Sequence, residues 1–260
     1  MPRVLLSNDD GVDSPTLLPF VQCLSRWAEV AVVVPAREKS WIGKAITRFA
    51  PVTAELRERN GVPWAVVEGS PADCVNLAVH SFGWARPDLV VSGINLGLNF
   101  GSAFVLSSGT IGAVFEGWIA GLPAVAFSMA IPNDAFGLKG EARQAAVGER
   151  AVRVAEVASD IARTLWEVGF PKSVDAFSVN LPAEATLETP RRVTGVTRTR
   201  YGPLFVPDGA GCFRHRFSYL EPLEDEGDVS VVSRGFVAIT PLRLDFSVPL
   251  PAALRQRLER

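Results

Sequence analysis

The sequence has few of the residues that define several common classes of protein. Its three cysteines, Cys23, Cys74 and Cys212, are widely spaced and fit no metal-binding or redox motif, so we expect free thiols in a reducing compartment. Lysine and arginine number 26 against 28 acidic residues, and the net charge of −2 argues against duplex nucleic acid as the main partner. A compact phosphate ester is compatible with this charge.

The sequence also lacks signals for export and for membrane insertion. No apolar stretch is long enough to cross a bilayer, and the chain starts with strand-like residues where a leader would be basic and then apolar. We therefore expect a cytoplasmic protein without a membrane partner. Of the two histidines, His80 falls in an apolar helical pattern and His215 in a segment without a long helix, so neither is a favoured catalytic residue.

The fold class follows from the alternation of short β-branched runs with helix-length segments. This pattern predicts parallel βαβ units, and 260 residues with 48% apolar content fit one sizeable α/β domain with an appendage. We expect a Rossmann-like, mostly parallel sheet with helices on both faces. The predicted strands are Val4 to Ser7, Val30 to Pro35, Trp64 to Glu68, Leu89 to Ser92, Ala124 to Ser128 and Ala176 to Asn180. The predicted helices are Pro15 to Trp27, Ala72 to Phe82, Thr110 to Ala120 and Glu141 to Val168.

The alternation of β-branched runs with helix-length segments ends after residue 182. Residues 1–182 are predicted to form the catalytic core, and residues 183–260 a C-terminal β-hairpin arm and a strand that returns to the core. Arg191 to Tyr201 and Phe213 to Tyr219 look like exposed strands around a turn, and Val229 to Ala238 like the returning strand. Because an exposed strand edge needs a cover, we expect the arm to mediate a homodimer or a homotetramer.

Two adjacent carboxylates follow the first predicted strand. Asp9 and Asp10 lie in Ser7-Asn8-Asp9-Asp10-Gly11, directly after the apolar run from Val4 to Leu6. Acidic oxygen ligands favour hard cations such as Mg²⁺ or Mn²⁺. An Asx turn or helix cap explains the pentapeptide equally well.

Later loops add polar groups at the carboxyl ends of strands, where open parallel sheets bind ligands. The segment from Asn95 to Gly101 lets backbone approach an anion closely, although a plain glycine-rich loop is the simpler explanation. Ser107 to Thr110 opens a predicted helix, so it is either a phosphate site or an ordinary cap. Gly69 to Cys74 is interpreted first as a structural helix entry.

The ordered set of motifs resembles the stationary-phase survival protein SurE family of metal-dependent 5'-nucleotidases. The blocks that carry the resemblance are Ser7 to Gly11, Glu38 to Ser40, Ala45 to Thr47, Gly69 to Val75, Ser92 to Asn95, Ser108 to Thr110 and Ile239 to Leu242. They stand in family order from end to end, which makes the set highly specific although each block alone is weak.

The resemblance implies one divalent cation per subunit, Mg²⁺ or Mn²⁺, held by Asp9, Asp10, Ser40 and Asn95. It also implies that Asn95, Ser108, Gly109 and Thr110 bind the phosphate of a nucleoside monophosphate, with 3'-monophosphates and other phosphate esters as further candidate substrates. The catalytic candidates are Asp9 and Asn95, with Asp9 orienting or deprotonating a metal-associated water for in-line attack. An aspartyl-phosphate intermediate stays open as an alternative.

The chain departs from the family pattern beside the expected pocket. Ser107 replaces a usual tyrosine or histidine, the stretch from Asn99 to Ser108 is one residue longer, and an acidic residue common there has no counterpart near Ala103 and Phe104. Trp41 follows Ser40 where the family commonly has a small residue. It could stack on a nucleobase or cover the rim of the pocket, and packing is slightly favoured.

Three other functions compete with a phosphatase. A response-regulator receiver also has paired acids after its first strand, but its phosphoacceptor position falls on Ser92. A haloacid-dehalogenase-type phosphatase needs one residue between its two aspartates, whereas Asp9 and Asp10 are adjacent. A noncatalytic nucleotide-binding protein with the same pocket is the remaining alternative.

Overall fold

The computed structural model describes residues 1–138, 140–217, 219–245 and 247–259. The strands are β1 (Arg3–Ser7), β2 (Glu29–Pro35), β3 (Ala54–Arg59), β4 (Val62–Val67), β5 (Leu89–Leu96), β6 (Ala124–Met129), β7 (Ala176–Leu181), β8 (Arg191–Val193), β9 (Thr199–Tyr201), β10 (Phe205–Pro207), β11 (Phe213–His215), β12 (Leu220–Pro222) and β13 (Val237–Leu242). The helices are α1 (Leu17–Leu24), α2 (Pro71–His80), α3 (Gly101–Ser107), α4 (Gly109–Ile119), α5 (Gly140–Val168), α6 (Asp228–Ser233) and α7 (Ala252–Leu258). A short 3-10 helix spans Asn133–Ala135, and α5 is kinked at Gly148.

Nine strands form one mixed sheet in the order β3-β4-β2-β1-β5-β6-β7-β13-β8. The pairs from β4 to β7 are parallel, whereas β3 pairs with β4 and β13 with β7 in antiparallel register. The strands that follow β1 in the chain, β2 to β4, lie on one side of it, and β5 and the later strands of the sheet lie on the other side. This reversal puts a topological switch point between the carboxyl ends of β1 and β5, which is where such sheets bind ligands.

Helices cover both faces of the sheet, as the alternation of strand-like and helix-length segments in the sequence predicts. On β1, Leu6 faces the core beneath α1 and α5, while Leu5 faces the core beneath α2 and α4. All six residues of β6 and of β7 are buried, which is typical of strands packed on both faces. The predicted α/β fold with a mostly parallel sheet is therefore confirmed.

The C-terminal segment forms two small antiparallel ladders, β9 with β12 and β10 with β11, which together make a hairpin arm. The predicted strand from Val229 to Ala238 is wrong. Asp228–Ser233 is helix α6, and the strand that returns to the sheet is β13 (Val237–Leu242). A short run rich in valine fits a helix and a strand equally well. The helix is selected by Asp228, whose buried carboxylate accepts hydrogen bonds from the backbone N–H groups of Gly101 and Thr197.

Other boundaries also differ from the predictions. Strand β3 was not predicted, because it is a fully exposed edge strand made mostly of charged residues. The predicted loop from Asn95 to Gly101 is partly the end of β5, and helix α3 follows it. Helix α1 begins at Leu17 rather than at Pro15, and the hydroxyl of Thr16, the residue before it, donates to the carbonyl oxygen of Ile94 (2.6 Å). Residues 191–193 join the edge of the main sheet rather than the arm.

In the described ranges, no single helix is long and apolar enough to cross a membrane. Helices α3 and α4 reach the required length and composition only as a pair, and that pair is bent by 68°.

Candidate active site at the carboxyl ends of β1 and β5

The loop after β1 contains the Asx turn that the sequence left open as one explanation of the pentapeptide. Asn8 forms an Asx-type turn, with its amide donating to the Gly11 carbonyl (2.9 Å) and its oxygen accepting from the Gly11 N–H (3.1 Å). Asn8 is fully buried and satisfied by this turn. The turn thus leaves Asp9 and Asp10 free to serve a different purpose.

Asp9 lies against the start of α4. Its Oδ1 accepts a hydrogen bond from the Thr110 hydroxyl (2.6 Å), and the carboxylate is 5% exposed. A Cβ on Gly109 would lie 2.9 Å from the Asp9 Cβ, so only glycine allows this approach. A side chain at position 109 would therefore collide with Asp9, which packs against Gly109.

Asp10 turns toward the end of β5. Its Oδ2 accepts from the backbone N–H of Leu96 (3.0 Å), directly beside Asn95. Asp9, Ser40, Asn95 and Ser108 line one cavity of about 250 Å³, and Asp10 lines the adjoining cavity, with Leu96 on the wall of both. The structure thus brings Asp9, Ser40 and Asn95 to one cavity, whereas Asp10 lines the neighbouring one.

Both carboxyl groups resist ionisation in the absence of a cation. Burial raises the pKa of Asp9 despite the hydrogen bonds from Thr110, and burial followed by the charge of Asp9 raises the pKa of Asp10. Within the described part of the chain, neither carboxylate has an ion pair with a lysine, arginine or histidine. A hard cation would offset both charges, so the donor set fits such an ion.

The two neutral donors keep an oxygen available. The Asn95 amide nitrogen donates to the Gly97 carbonyl (2.6 Å), which fixes the side chain while its Oδ1 stays free to bind. The exposed Ser40 hydroxyl donates to Glu38 Oε1 (2.6 Å), so its lone pairs remain available. Among the described residues, no group of three or more His, Cys, Asp or Glu side chains is placed so that it could hold a metal ion.

Ser108 and Thr110 have distinct structural tasks at the start of α4. Ser108 is the N-cap, and its Oγ accepts from the Ile111 N–H (3.2 Å). The Thr110 hydroxyl donates to Asp9. The cap predicted as the simpler explanation is therefore present, and it lies on the wall of the same cavity as the carboxylate.

Comparison with known proteins identifies the family. The family model described as Survival protein SurE matches residues 4–203. The chain belongs to the SurE family. Among its relatives, the 5'-nucleotidase SurE of Methanocella arvoryzae is 35% identical over 94% of this chain and 93% of its own, and that of Citrifermentans bemidjiense is 36% identical over 94% of each. The crystal structure of the Sure protein from Aquifex aeolicus covers both chains completely, with 28% identity and a TM-score of 0.78.

The SurE motif at Gly69 to Cys74 is a helix entry, as predicted, and it also supports the site. Ser70 and Asp73 form a capping box with Pro71 in the first turn of α2. Asp73 also accepts hydrogen bonds from the Thr47 N–H (3.0 Å) and hydroxyl (2.6 Å). These bonds outweigh the effect of burial and lower the pKa of Asp73. The motif therefore fixes residues 36–53, which we call the Ser40 loop.

The Ser40 loop is also attached to α4. The Gly43 N–H donates to the Ser107 carbonyl (2.9 Å), and Lys44 Nζ lies 2.6 Å from Glu116 Oε2. A Cβ on Gly112 would lie 2.4 Å from the Gly43 carbonyl oxygen, so the backbones of the loop and the helix touch. These contacts fix the position of Ser40 relative to the start of α4, where Ser108 to Thr110 lie.

Sequence reasoning did not identify the buried amide network behind Thr110. The Asn99 amide nitrogen donates to the Ser128 hydroxyl (2.8 Å) and, at 3.4 Å, to the Thr110 hydroxyl, while the Asn99 N–H donates to Asn180 Oδ1 (2.8 Å). Asn180 ends a predicted buried strand, and a polar residue at that position was the available signal. The network supports the hydroxyl that contacts Asp9.

The structure shows where the chain departs from the SurE pattern. The longer stretch before Ser108 is helix α3, in which the Ser107 hydroxyl donates back to the Ala103 carbonyl (3.0 Å). Phe104 lines the cavity where the family commonly has an acidic residue nearby. Neither histidine lines the cavity, although His215 lies on the arm with its ring 5.0 Å from that of Trp41.

Proposed function

We propose that this chain is a 5'-nucleotidase that needs Mg²⁺ or Mn²⁺ and hydrolyses nucleoside monophosphates to nucleoside and phosphate. The observation that carries the proposal is the buried carboxylate of Asp9 beside the half-buried Asp10, neither of them in an ion pair among the described residues, at the switch point of the sheet. The curated relatives named 5'-nucleotidase SurE support the reaction.

The proposed cation ligands are Asp9, Asp10, Ser40 and Asn95. When bound, the cation would neutralise the carboxylates and polarise a phosphoryl oxygen. Asp9 is proposed to orient the attacking water and to accept its proton, because the Thr110 hydroxyl fixes one carboxylate oxygen and the residue lines the cavity. Asn95 is proposed to orient the phosphoryl group from the end of the neighbouring strand, β5.

The phosphate is proposed to bind at the start of α4. The N–H group of Gly109 has no partner in the preceding turn, and the Ser108 hydroxyl can still donate while its oxygen accepts from Ile111. Thr110 contributes chiefly through Asp9, because its hydroxyl is already committed to that carboxylate. The helix start thus stabilises the charge on the phosphoryl oxygens while Asp9 handles the proton.

The test is phosphate release from a panel of nucleoside 5'- and 3'-monophosphates with Mn²⁺ or Mg²⁺, against a chelator control. Asp9→Asn should abolish release and leave the far-ultraviolet circular dichroism unchanged. Asp160→Asn removes an exposed carboxylate on α5 and should retain activity. Full metal-dependent turnover by Asp9→Asn would remove Asp9 from the mechanism. Nucleotide binding without release by the wild type would favour the noncatalytic alternative.

We also propose that the arm joins subunits of a homodimer or homotetramer in the cytoplasm. Phe205 and Phe213 on the arm are 60% and 66% exposed, more than a monomer would favour for large apolar side chains on one hairpin. The free thiols of Cys23, Cys74 and Cys212 suit a reducing compartment. Light scattering, which measures the molar mass in solution, tests the assembly on the wild type and on Phe213→Ser. A monomeric wild type would contradict the proposed oligomer.

A further inference from the structure

Trp41 has a backbone conformation that its side chain does not favour. Its φ is 61°, in the left-handed region that glycine adopts readily and that is rare for a bulky residue. The Ser40 loop is held on both sides of Trp41, because the Lys39 N–H donates to the Asp9 carbonyl (2.7 Å) and the Gly43 N–H donates to the Ser107 carbonyl (2.9 Å), so the surrounding structure imposes this conformation. A large ring retained at a position suited to glycine indicates a role for the ring itself.

The ring of Trp41 belongs to an aromatic wall formed with Phe104 and Phe217. The three ring centroids lie 5.4 to 5.9 Å apart, and all three residues line the cavity of Asp9 and Asn95. They come from the Ser40 loop, from α3 and from the arm, respectively. Three separate parts of the chain thus supply an apolar surface beside the proposed phosphate site.

The cavity therefore has two chemically different kinds of lining. Its lining residues supply carboxylate, amide and hydroxyl groups as well as a cluster of aromatic rings in mutual contact. Trp41 directly follows the proposed cation ligand Ser40, and their Cα atoms lie about 3.8 Å apart. A ligand that matches both kinds has a phosphate at one end and a planar apolar group at the other.

We propose that Trp41, Phe104 and Phe217 form a subsite for the base of a nucleoside monophosphate. The inference rests on the proposed function and extends it, because it assigns preference for nucleotides over base-free phosphate esters to residues of this chain. Aromatic faces bind bases of any sequence by stacking, so the wall favours nucleotides as a class. Tyr201 and His215 pack behind Trp41 and support its ring, at centroid distances of 5.8 and 5.0 Å.

The test compares ligands that differ only in the base. Binding is measured by calorimetry with phosphonate analogues of adenosine 5'-monophosphate and ribose 5-phosphate, in which a methylene group replaces the ester oxygen and prevents hydrolysis. Trp41→Gly should weaken binding of the adenosine analogue by about tenfold or more. Binding of the ribose analogue should not change. Phe217→Leu should shift the preference in the same direction, which tests the wall from the arm.

Controls separate this inference from the proposed function. Trp41→Phe keeps a ring and should retain most of the preference, while Phe49→Ala removes a 92% exposed ring of the same loop and should have no effect. Equal weakening of both analogues by Trp41→Gly would overturn the subsite and leave the ring a packing role. Because binding is measured without turnover, a lack of phosphate release would contradict the nucleotidase without affecting this result.

Discussion

The ion pair between Lys44 and Glu116 provides a sharp test of how the Ser40 loop is held. Glu116 is 4% exposed on α4, and its two oxygens contact Lys44 Nζ (2.6 Å) and the Asn76 amide (2.7 Å). In Lys44→Met the carboxylate would stay buried and lose its only charged partner among the described residues. The variant should therefore destabilise the fold and loosen the loop.

The expected magnitude lies between two limits. Breaking a fully buried ion pair costs about 3–5 kcal/mol, whereas an exposed pair contributes about 0–1 kcal/mol. The Lys44 side chain is 28% exposed and that of Glu116 only 6%, so solvent screens one partner in part. We expect a loss of about 2 kcal/mol, which for a domain of this size lowers Tm by about 4–8 °C.

The assay is urea unfolding of the wild type, Lys44→Met, Glu116→Gln and the double variant, in chelator. The double variant should recover part of the loss, because a neutral amide tolerates burial without the ammonium group. Cation affinity, measured by titration, should fall in Lys44→Met as Ser40 loses its support. Equal stability of Lys44→Met and wild type would refute the reasoning, and equal losses in the single and double variants would assign the effect to packing of the lysine stem.

Three further predictions address the site. In metal-free protein, stability should fall as pH rises from the ordinary pKa of an aspartate to the raised pKa of Asp10, because in this range the folded state still holds a proton that the unfolded chain has released; Asp10→Asn should flatten this slope in urea unfolding, and Mg²⁺ should oppose it. A slope unchanged by the substitution would assign it to other groups. Gly112→Ala places a Cβ 2.4 Å from the Gly43 carbonyl oxygen and should weaken cation binding, whereas Gly195→Ala meets nothing within 4 Å and should not. Thr110→Val removes the hydroxyl that contacts Asp9, the proposed catalytic carboxylate, so kcat/KM should fall by about 10- to 100-fold with circular dichroism unchanged; full activity would show that this hydrogen bond has no catalytic role.

Strands and helices were predicted well where burial alone dictates the pattern. The run from Leu89 to Ser92 is apolar and β-branched because a parallel strand is covered on both faces, and β5 forms there. The exposed strand β3 (Ala54–Arg59) has no such pattern, since its only partner is β4 and its side chains face solvent. Helix α6 (Asp228–Ser233) was missed because a buried carboxylate, bonded to residues distant in the sequence, selects its conformation.

The linear order of residues was enough to predict the buried parallel strands and the polar residues at their carboxyl ends, because hydrophobic periodicity and the polar residues that interrupt it are local properties. The tertiary structure alone decided how these ends combine. It directed the Thr110 hydroxyl to Asp9, attached the Ser40 loop to α4, and brought Phe217 from the arm to the ring of Trp41. Such contacts join residues far apart in the chain, so they depend on the packing of whole elements, which no local pattern encodes.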